Sequence, residues 1–439
     1  MKSISYKLSS TKDLLTSRAG LLCIGELMGQ LRFSELVNTH FPNPLSNRGF
    51  APSVFVNSLM LMLHEGGNCL DDLRHIREDS ALHKLLGITK TPESDSLGDW
   101  LRRTGQAGVK AVTNINRPLL KKGLHHCRAV TLDIDAMIST ANKKAAKWTY
   151  QKCKGYMPMV GYIAETGQVV ATDFREGNIA PASNNLEFIE QCQEALPEGV
   201  IIKALRIDAA GYQVAIIDRC IDNNILFAIR AKMSKSLKQL ITQTPEESWQ
   251  PLLNRDGKTI EGECTTRVVH AMEASKHAFS VVVQRKLLKG QQTLDLETAP
   301  SEELLEHNGY LYRAIANNQE RMNNNEIIHW YNQRGEHCEN RIKELKIDFS
   351  AERMPCNDFA ANALYFALCA LAYNLFALLR SLLPKEWESC RAKTIRWRLY
   401  ALAGKVVSHG RKVTLKLQAV HHTLLDKVLC LIMQVAQAS

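Results

Sequence analysis

Three acidic residues of this 439-residue chain are candidates to hold the metal ions of a phosphoryl-transfer site. Asp135 and Asp208 each close a short apolar run, and Glu339 follows much later in a helical segment. Carboxylate oxygens suit Mg²⁺, and two such ions ~3.5–4 Å apart can hold both the attacking and the leaving oxygen. The pattern predicts a two-metal site built from two strands and one helix.

The strand that carries the first acid is indicated by alternation. In AVTLDIDAMI, residues 129–138, every second residue is apolar, which is typical of a strand with one buried face. Asp133 and Asp135 therefore lie on the same face, and both are candidates for the first metal ligand.

The elements around these acids follow a recognisable order. A hairpin is predicted around the turn Glu165-Thr166-Gly167, then a helix near 186–196 and a strand that ends at Asp208. A helix over 212–223 and a strand over 225–232 come next. Residues 236–318 are rich in strand patterns and are interpreted as a β-rich insertion, after which helical spacing resumes at 325.

The segments before and after this region are predicted to be mostly helical. Residues 12–120 have apolar residues at three-to-four spacing, which fits either a DNA-binding module or a plain helical bundle. Residues 360–383 are apolar and long enough to cross a bilayer. Asn362, Asn374 and Arg380 favour a buried core helix instead, and no membrane partner is expected.

Composition narrows the class of protein. The net charge of +10 favours a polyanionic partner, and nucleic acid is the leading candidate. The 12 cysteines lack paired spacing, so neither a disulfide framework nor a zinc module is predicted. The first ten residues lack the pattern of a signal peptide, which favours a reducing cytoplasm.

The helical segment around Glu339 has two interpretations. On an α-helix Glu339 shares a side with Lys343 and Lys346, four and seven residues on. The lysines could hold a phosphate backbone while the acid binds metal, or the three could form an ordinary solvated face.

The same segment resembles a known signature. Tyr331, Arg334, Glu339 and Lys346 look like the Tyr-Arg-Glu-Lys signature of bacterial insertion-sequence transposases with a DDE site, most closely the insertion-sequence-1380 group. The resemblance extends over most of the chain in the expected order. It includes LDIDA, KGYMPMVGYI, FREGNIAPASN, RIDAAGY, AANALYFALCALAYNLFALLR and the basic tail TIRWRLYALAGKVVSHGRKV.

The resemblance implies an α/β fold. The catalytic core is expected to be a ribonuclease-H-like mixed sheet interrupted by the β-rich insertion, with a helical N-terminal domain before it and C-terminal helices after it. The expected segments are a DNA-binding domain over 1–125, the first part of the core over 126–235, the insertion over 236–320, the second part of the core over 321–384 and a basic region over 385–439.

The resemblance also implies cut-and-paste transposition. Water nicks DNA at the ends of the element, and the released 3′-hydroxyl then attacks the opposite strand or target DNA. Two Mg²⁺ ions are expected at Asp135, Asp208 and Glu339, with Mn²⁺ able to substitute. The partners are double-stranded DNA of the terminal inverted repeats and the target, with a homodimer in the DNA complex and a nucleoid-associated, cytoplasmic location in a bacterium.

Contacts to DNA are expected from the signature and from the tail. Tyr331 would stack on a displaced base, and Arg334 would hold a phosphate. In the alternative interpretation, both residues belong to the start of a helix that packs against the core. The expected basic contacts are Lys343, Lys346, Arg396, Arg398, Arg411 and Lys412. Burial of Ile395, Leu399 and Leu402 is also expected, so half of the tail packs inward.

Two departures from the pattern leave alternatives open. Four residues separate Arg334 from Glu339, where the signature has three, so Glu336 is a minority candidate for the catalytic acid. Asp135 is favoured over Asp133 because the Asp-x-small pattern of related sites falls there, with Asp133 as a supporting or alternative ligand. The alternative functions are a non-catalytic DNA-binding regulator derived from a transposase and a metal-dependent nuclease without strand transfer.

Overall fold

The chain folds into two compact units. The computed structural model describes residues 6–44, 49–288, 302–410 and 412–435, and for residues 336–339 it describes the backbone alone. The first unit joins Met1–Ile115 to Glu344–Ser439, and the second is Asn116–Lys343. The boundary at 343/344 falls inside the predicted segment 321–384.

The N-terminal part of the first unit is helical, as its apolar spacing predicts. Its elements are β1 (Leu14–Thr16), α1 (Leu22–Gln30), α2 (Phe33–His40), α3 (Pro52–Glu65), α4 (Arg74–Arg77), α5 (Ser80–Leu86) and α6 (Ser94–Gly123). Helix α6 kinks at Gly105, whose φ of 39° lies in the left-handed region that favours glycine, and continues into the second unit.

The second unit alternates strands and helices before becoming β-rich. Its elements are β2 (Ala129–Ala136), β3 (Ser139–Thr140), β4 (Lys147–Trp148), β5 (Lys154–Tyr156), β6 (Met159–Ile163), β7 (Val169–Asp173), α7 (Asn185–Ala195), β8 (Ile201–Ile207), α8 (Val214–Asp222), β9 (Leu226–Arg230), α9 (Lys235–Thr242), β10 (Gln250–Leu253), β11 (Thr259–Ala271), β12 (Ala278–Leu287), β13 (Leu305–His307), β14 (Tyr310–Asn317) and α10 (Asn324–Lys343).

One large mixed sheet organises the second unit. Within the described ranges it runs β10-β11-β12-β14-β9-β8-β2-β6-β7, with β13 paired to β14. Strand β2 is parallel to β8, and β8 is parallel to β9, whereas the other pairs are antiparallel. The predicted order of strand, hairpin, helix, strand, helix and strand is confirmed. The insertion is not a separate layer, because β14 joins the edge of β9.

The C-terminal part of the first unit corrects one prediction. Its elements are a π-helical turn (Glu344–Asp348), α11 (Phe359–Ser381), α12 (Ala392–Ile395), a second π-helical turn (Arg396–Tyr400), β15 (Gly404–His409), β16 (Lys412–Lys416) and α13 (Ala419–Val435). Helices alone were predicted here, but β15 pairs with both β16 and β1. The N-terminal strand thus completes a three-stranded sheet that no local pattern in the tail reveals.

Helix α11 is the buried spine of the first unit. It is long and apolar enough to cross a membrane, yet its most apolar stretch is wholly buried inside the protein. Helices α1 and α3 pack against it. The expected buried core helix is confirmed.

Gly20 tests how tightly the two parts of the first unit are joined. A Cβ added at Gly20 would lie 1.6 Å from the carbonyl oxygen of Leu399 and 2.8 Å from the Cα of Tyr400. Because backbone cannot rotate away, Gly20→Ala should lower the free energy of unfolding by at least about 1–3 kcal/mol. Gly29→Ala is the matched control, since Gly29 is in α1 and has open space around its Cβ position. That change should raise stability by about 0.5–1 kcal/mol. Denaturant titration gives both values, and equal effects would contradict the packing.

Candidate active site

Two half-buried carboxylates lie side by side at the carboxyl ends of parallel strands. Asp135 is the next-to-last residue of β2, and Asp208 directly follows β8. The strand register pairs Asp133 with Arg206, so two residues further on Asp135 is level with Asp208. Neighbouring strands are ~4.8 Å apart, and residues two apart share a face. The two acids therefore project from one face at adjacent positions.

Asp133, the alternative first ligand, is fully engaged elsewhere. Its side chain has no exposed surface, and its two oxygens accept hydrogen bonds of 2.7 and 2.8 Å from Nε and Nη2 of Arg206. A bidentate ion pair of this kind leaves neither oxygen free to face a metal. The geometry favours Asp135 over Asp133.

Arg206 also binds the helix that crosses this face. Its Nη1 donates to the backbone carbonyl of Trp330 at 2.7 Å, and its guanidinium carbon lies 5.5 Å from the centroid of the Trp330 ring. Trp330 belongs to α10, the helix that carries Glu339. One buried ion pair therefore links β2, β8 and α10.

Arg334 makes a second link between α10 and β2. Its Nη2 donates to the carbonyl of Ile134 at 3.1 Å and lies 3.4 Å from Oδ1 of Asp135. The guanidinium thus balances the charge of Asp135. A cation at this distance also means that Arg334 would have to adjust for Asp135 to ligate a metal directly.

Arg341 holds the far end of α10. It donates to the carbonyls of Ile163 and Ala164, at the turn between β6 and β7. Gly167 in this turn has a φ of +75°, and a Cβ there would meet Nε of Arg341 at 2.8 Å. The backbone angle favours glycine here, and the lack of a side chain leaves room for the arginine.

The third acid cannot be placed at the same level of detail. Glu339 falls on α10, and Glu336 lies one turn earlier. Both side chains lie outside the described residues, so the meeting of three acids stays a prediction. Among the side chains that are described, no group of three or more histidine, cysteine, aspartate or glutamate residues is arranged to hold a metal.

The predicted DNA contacts on and after α10 differ in accessibility. Tyr331 is only 7% exposed and packs in an apolar cluster, with the guanidinium of Arg230 5.1 Å from its ring centroid. Tyr331 therefore fits the alternative interpretation, in which its ring packs against the core and does not contact DNA. Lys343 is exposed at the last position of α10. The α-helix ends there, and Lys346 lies in a π-helical turn, so the α-helical spacing that aligned it with Glu339 does not apply.

The basic tail divides into inward and outward residues. Arg396 donates to the carbonyls of Leu63, His64 and Asp348, which gives it a structural role inside the first unit. Arg398 and Lys412 are exposed. Ile395, Leu399 and Leu402 are buried, as expected. The predicted contact Arg411 lies outside the described residues.

Comparison with known proteins gives the family. A family model described as "Transposase DDE domain group 1" matches residues 5–437. The chain belongs to this DDE transposase family. No curated protein matches the chain. Among solved structures, it is similar to a cryo-EM structure of the piggyBac transposase synaptic complex with hairpin DNA. The TM-score is 0.45 at 10% identity, over 87% of this chain and 79% of that one.

Sequence reasoning missed two residues that shape the site of this DDE transposase. Arg206 precedes Asp208 by two residues and shares its face, and Arg341 lies two residues after Glu339. A signal for Arg206 was present, because an arginine within the apolar run IIKALRI must find a buried anion. Asp133, at the matching position of β2, is that anion.

The buried pair predicts a specific pattern of stabilities. Arg206→Met leaves Asp133 buried without a counter-charge and should lower the free energy of unfolding by about 3–5 kcal/mol. The double variant Asp133→Leu/Arg206→Met should recover most of that loss, because neither charge remains. Arg219→Met is the control, since its pair with Glu190 is partly exposed and should contribute at most about 1 kcal/mol. Denaturant titration that finds Arg206→Met no worse than Arg219→Met would contradict this role.

Proposed function

We propose that this DDE transposase binds the ends of an insertion element and performs metal-dependent strand cleavage and strand transfer by a cut-and-paste route. The observation that carries the proposal is the placement of Asp135 and Asp208 on adjacent strand ends, beneath a helix held by Arg206 and Arg334. Membership of the family supports phosphoryl transfer as the reaction class.

We infer that the second unit contains a ribonuclease-H-like core. The order β7-β6-β2-β8-β9 supports it, with an antiparallel hairpin beside β2 and two parallel strands on its other side. Strands β10–β14 then form the insertion that precedes α10. The resemblance of the signature to the insertion-sequence-1380 group supports a bacterial insertion element and a nucleoid-associated location in the cytoplasm.

The donor set fits hard divalent cations. Asp135, beside Arg334, and Asp208 place carboxylates at a half-exposed edge, whereas both oxygens of Asp133 are bound by the buried Arg206. Asp135, Asp208 and Glu339 would hold two Mg²⁺ ions, with Mn²⁺ as a substitute. When bound, the ions supply charge stabilisation for the attacking and leaving oxygens. The chain's own residues position the helix and the substrate. Arg206 and Arg341 fix α10, and Arg334 is placed to bind a phosphate beside Asp135.

DNA is the proposed partner, both as terminal inverted repeats and as target. The net charge of +10 and the exposed Lys343, Arg398 and Lys412 support contacts to the phosphate backbone. Pairing of two element ends calls for at least a homodimer in the DNA complex. Arg396 is not proposed as a DNA contact, because its guanidinium binds carbonyls inside the first unit.

The variant Asp208→Asn should reduce catalysis without disturbing the local fold. The amide oxygen can still accept the 3.0 Å hydrogen bond from the backbone N–H of Ala210, so the local turn should persist. The lost negative charge should reduce cleavage by about 100-fold or more while DNA affinity is largely retained. The control is Asp256→Asn, on an exposed turn of the insertion.

The assay uses duplex DNA with the sequence that flanks the gene, in Mg²⁺, and measures cleavage and joining separately. Cleavage and joining by the wild type, both lost in Asp208→Asn, are the expected results. Cleavage without joining would make the protein a nuclease, and binding without cleavage would make it a regulator. Undiminished cleavage by Asp208→Asn would overturn the assignment of this carboxylate.

A further inference from the structure

A group of basic side chains lies next to the carboxylate pair on the same face of the sheet. The register of β8 and β9 pairs Ile207 with Ile229, so Asp208 is level with Arg230. Arg230 pairs with Ile315 of β14, and Ala231 N–H donates to Ala314 O at 2.9 Å. One residue further on, Lys232 is opposite Arg313. We call Arg230, Lys232 and Arg313 the basic cluster.

Arg230 and Arg313 project from the face that carries Asp135 and Asp208, and Lys232, just after the end of β9, lies near them, because Glu303 interacts with all three. Alternate residues of a strand share a face, and Arg313 is two residues from Ile315, which is paired with Arg230. The ring of Tyr331 on α10 contacts Arg230, which shows that this is the face covered by α10. Arg313 is exposed, and the side chain of Lys232 is 43% exposed. Two of the three cations are therefore accessible from solvent.

The positive charges of the basic cluster are close together, which favours binding of an anion among them. Partial desolvation of the guanidinium and the neighbouring charge of Arg230 lower the pKa of Arg313, and the charges of Glu263 and Glu303 partly offset this lowering. Glu263 is already hydrogen-bonded to Gln284. Repulsion between like cations is relieved when an anion binds among them.

Two glutamates fill this role in the present structure. Nζ of Lys232 lies 3.4 Å from Oε2 of Glu302, and the N–H of Met233 donates to the carbonyl of Glu302 at 2.7 Å. The next residue, Glu303, interacts electrostatically with Arg230, Lys232, Arg313 and Asp208. Its half-buried position and the like charge of Asp208 raise its pKa. Because Asp208 repels its negative charge, Glu303 is less favourable as an anion in the basic cluster than it would be without that neighbour.

We propose that Arg230, Lys232 and Arg313 form a phosphate-binding site for the DNA backbone beside the Asp135 and Asp208 pair, and that Glu302 and Glu303 stand in for the phosphate until DNA displaces them. The inference rests on the proposed function for the nature of its ligand. Nucleotides are spaced ~3.4 Å along a strand, and the cluster begins one strand spacing of ~4.8 Å from Asp208. The basic cluster would therefore hold a phosphate within about three nucleotides of the phosphate that reacts.

The test compares two double variants that remove the same charges. Lys232→Gln/Arg313→Gln alters the cluster, and the control Arg255→Gln/Lys258→Gln alters the exposed turn between β10 and β11. Binding of a fluorescent nicked B-form duplex is measured by anisotropy over a range of salt concentrations, without Mg²⁺ so that no cleavage occurs. Backbone contacts are independent of sequence, so a generic duplex suffices.

The cluster variant should bind about tenfold or more weakly than the wild type, with a salt dependence reduced by roughly two phosphate contacts. The control should stay within about twofold of the wild type. Lys232→Arg/Arg313→Lys, which keeps both charges, should bind normally and would show that any loss in the first variant is not misfolding. A cluster variant that matches the control in affinity and salt slope would overturn the site.

Removing the two acids should have the opposite effect. Glu302→Gln/Glu303→Gln should strengthen duplex binding several-fold, and unchanged affinity would overturn their role as stand-ins. If inorganic phosphate binds the wild type but not the cluster variant, and at matched ionic strength leaves duplex affinity unchanged, the site serves free phosphate and the assignment to DNA falls. The proposed function is tested independently, since it fails if the wild type never cleaves DNA in Mg²⁺, whatever these binding results are.

Discussion

The buried ion pair of Asp133 and Arg206 is the constraint on which the candidate site depends. Taking two charges out of water costs several kcal/mol per ion, and only close, fully hydrogen-bonded geometry offsets it. Arg206 meets this condition by using three nitrogens, two on Asp133 and one on the Trp330 carbonyl. The same bonds that satisfy the charges therefore fix α10 over β2 and β8. They also distinguish two aspartates only two residues apart, since Asp133 is buried against Arg206, whereas Asp135 is half-buried at the strand end beside Arg334.

The acid pair and the basic cluster show how one sheet face can carry opposite charges close together. Asp135 and Asp208 project from β2 and β8, and the cations begin on the next strand, β9. The insertion continues the sheet through β14, so Arg313 is placed by backbone hydrogen bonds and not by a mobile loop. A rigid sheet sets the spacing between the cations and the acids, which is what recognition of a charged backbone next to a reaction centre requires.

Much of the core could be predicted because its strands have recognisable local sequence patterns. The alternation in AVTLDIDA identifies β2, and the apolar run before Asp208 identifies β8. What could not be predicted depends on contacts between distant segments. Strand β14 gives no sign that its partner is β9, and β15 gives none that it pairs with β1. Charge alone did not separate Arg396, which turns inward, from Arg398, which faces solvent. The π-helical turn at Glu344–Asp348 likewise breaks a spacing argument that assumed a regular helix.

The discontinuous first unit has a consequence for the order of events during synthesis on the ribosome. Ile24 and Leu27 of α1 are buried, and α1 packs against α11 and α13, which are synthesised after the second unit. The second unit is contiguous and can begin to form while that core is still incomplete. Apolar surface of α1 and α3 therefore stays exposed in the nascent chain until their partner helices in the C-terminal part of the first unit have been synthesised. This interval is when aggregation or chaperone capture competes most strongly with productive folding.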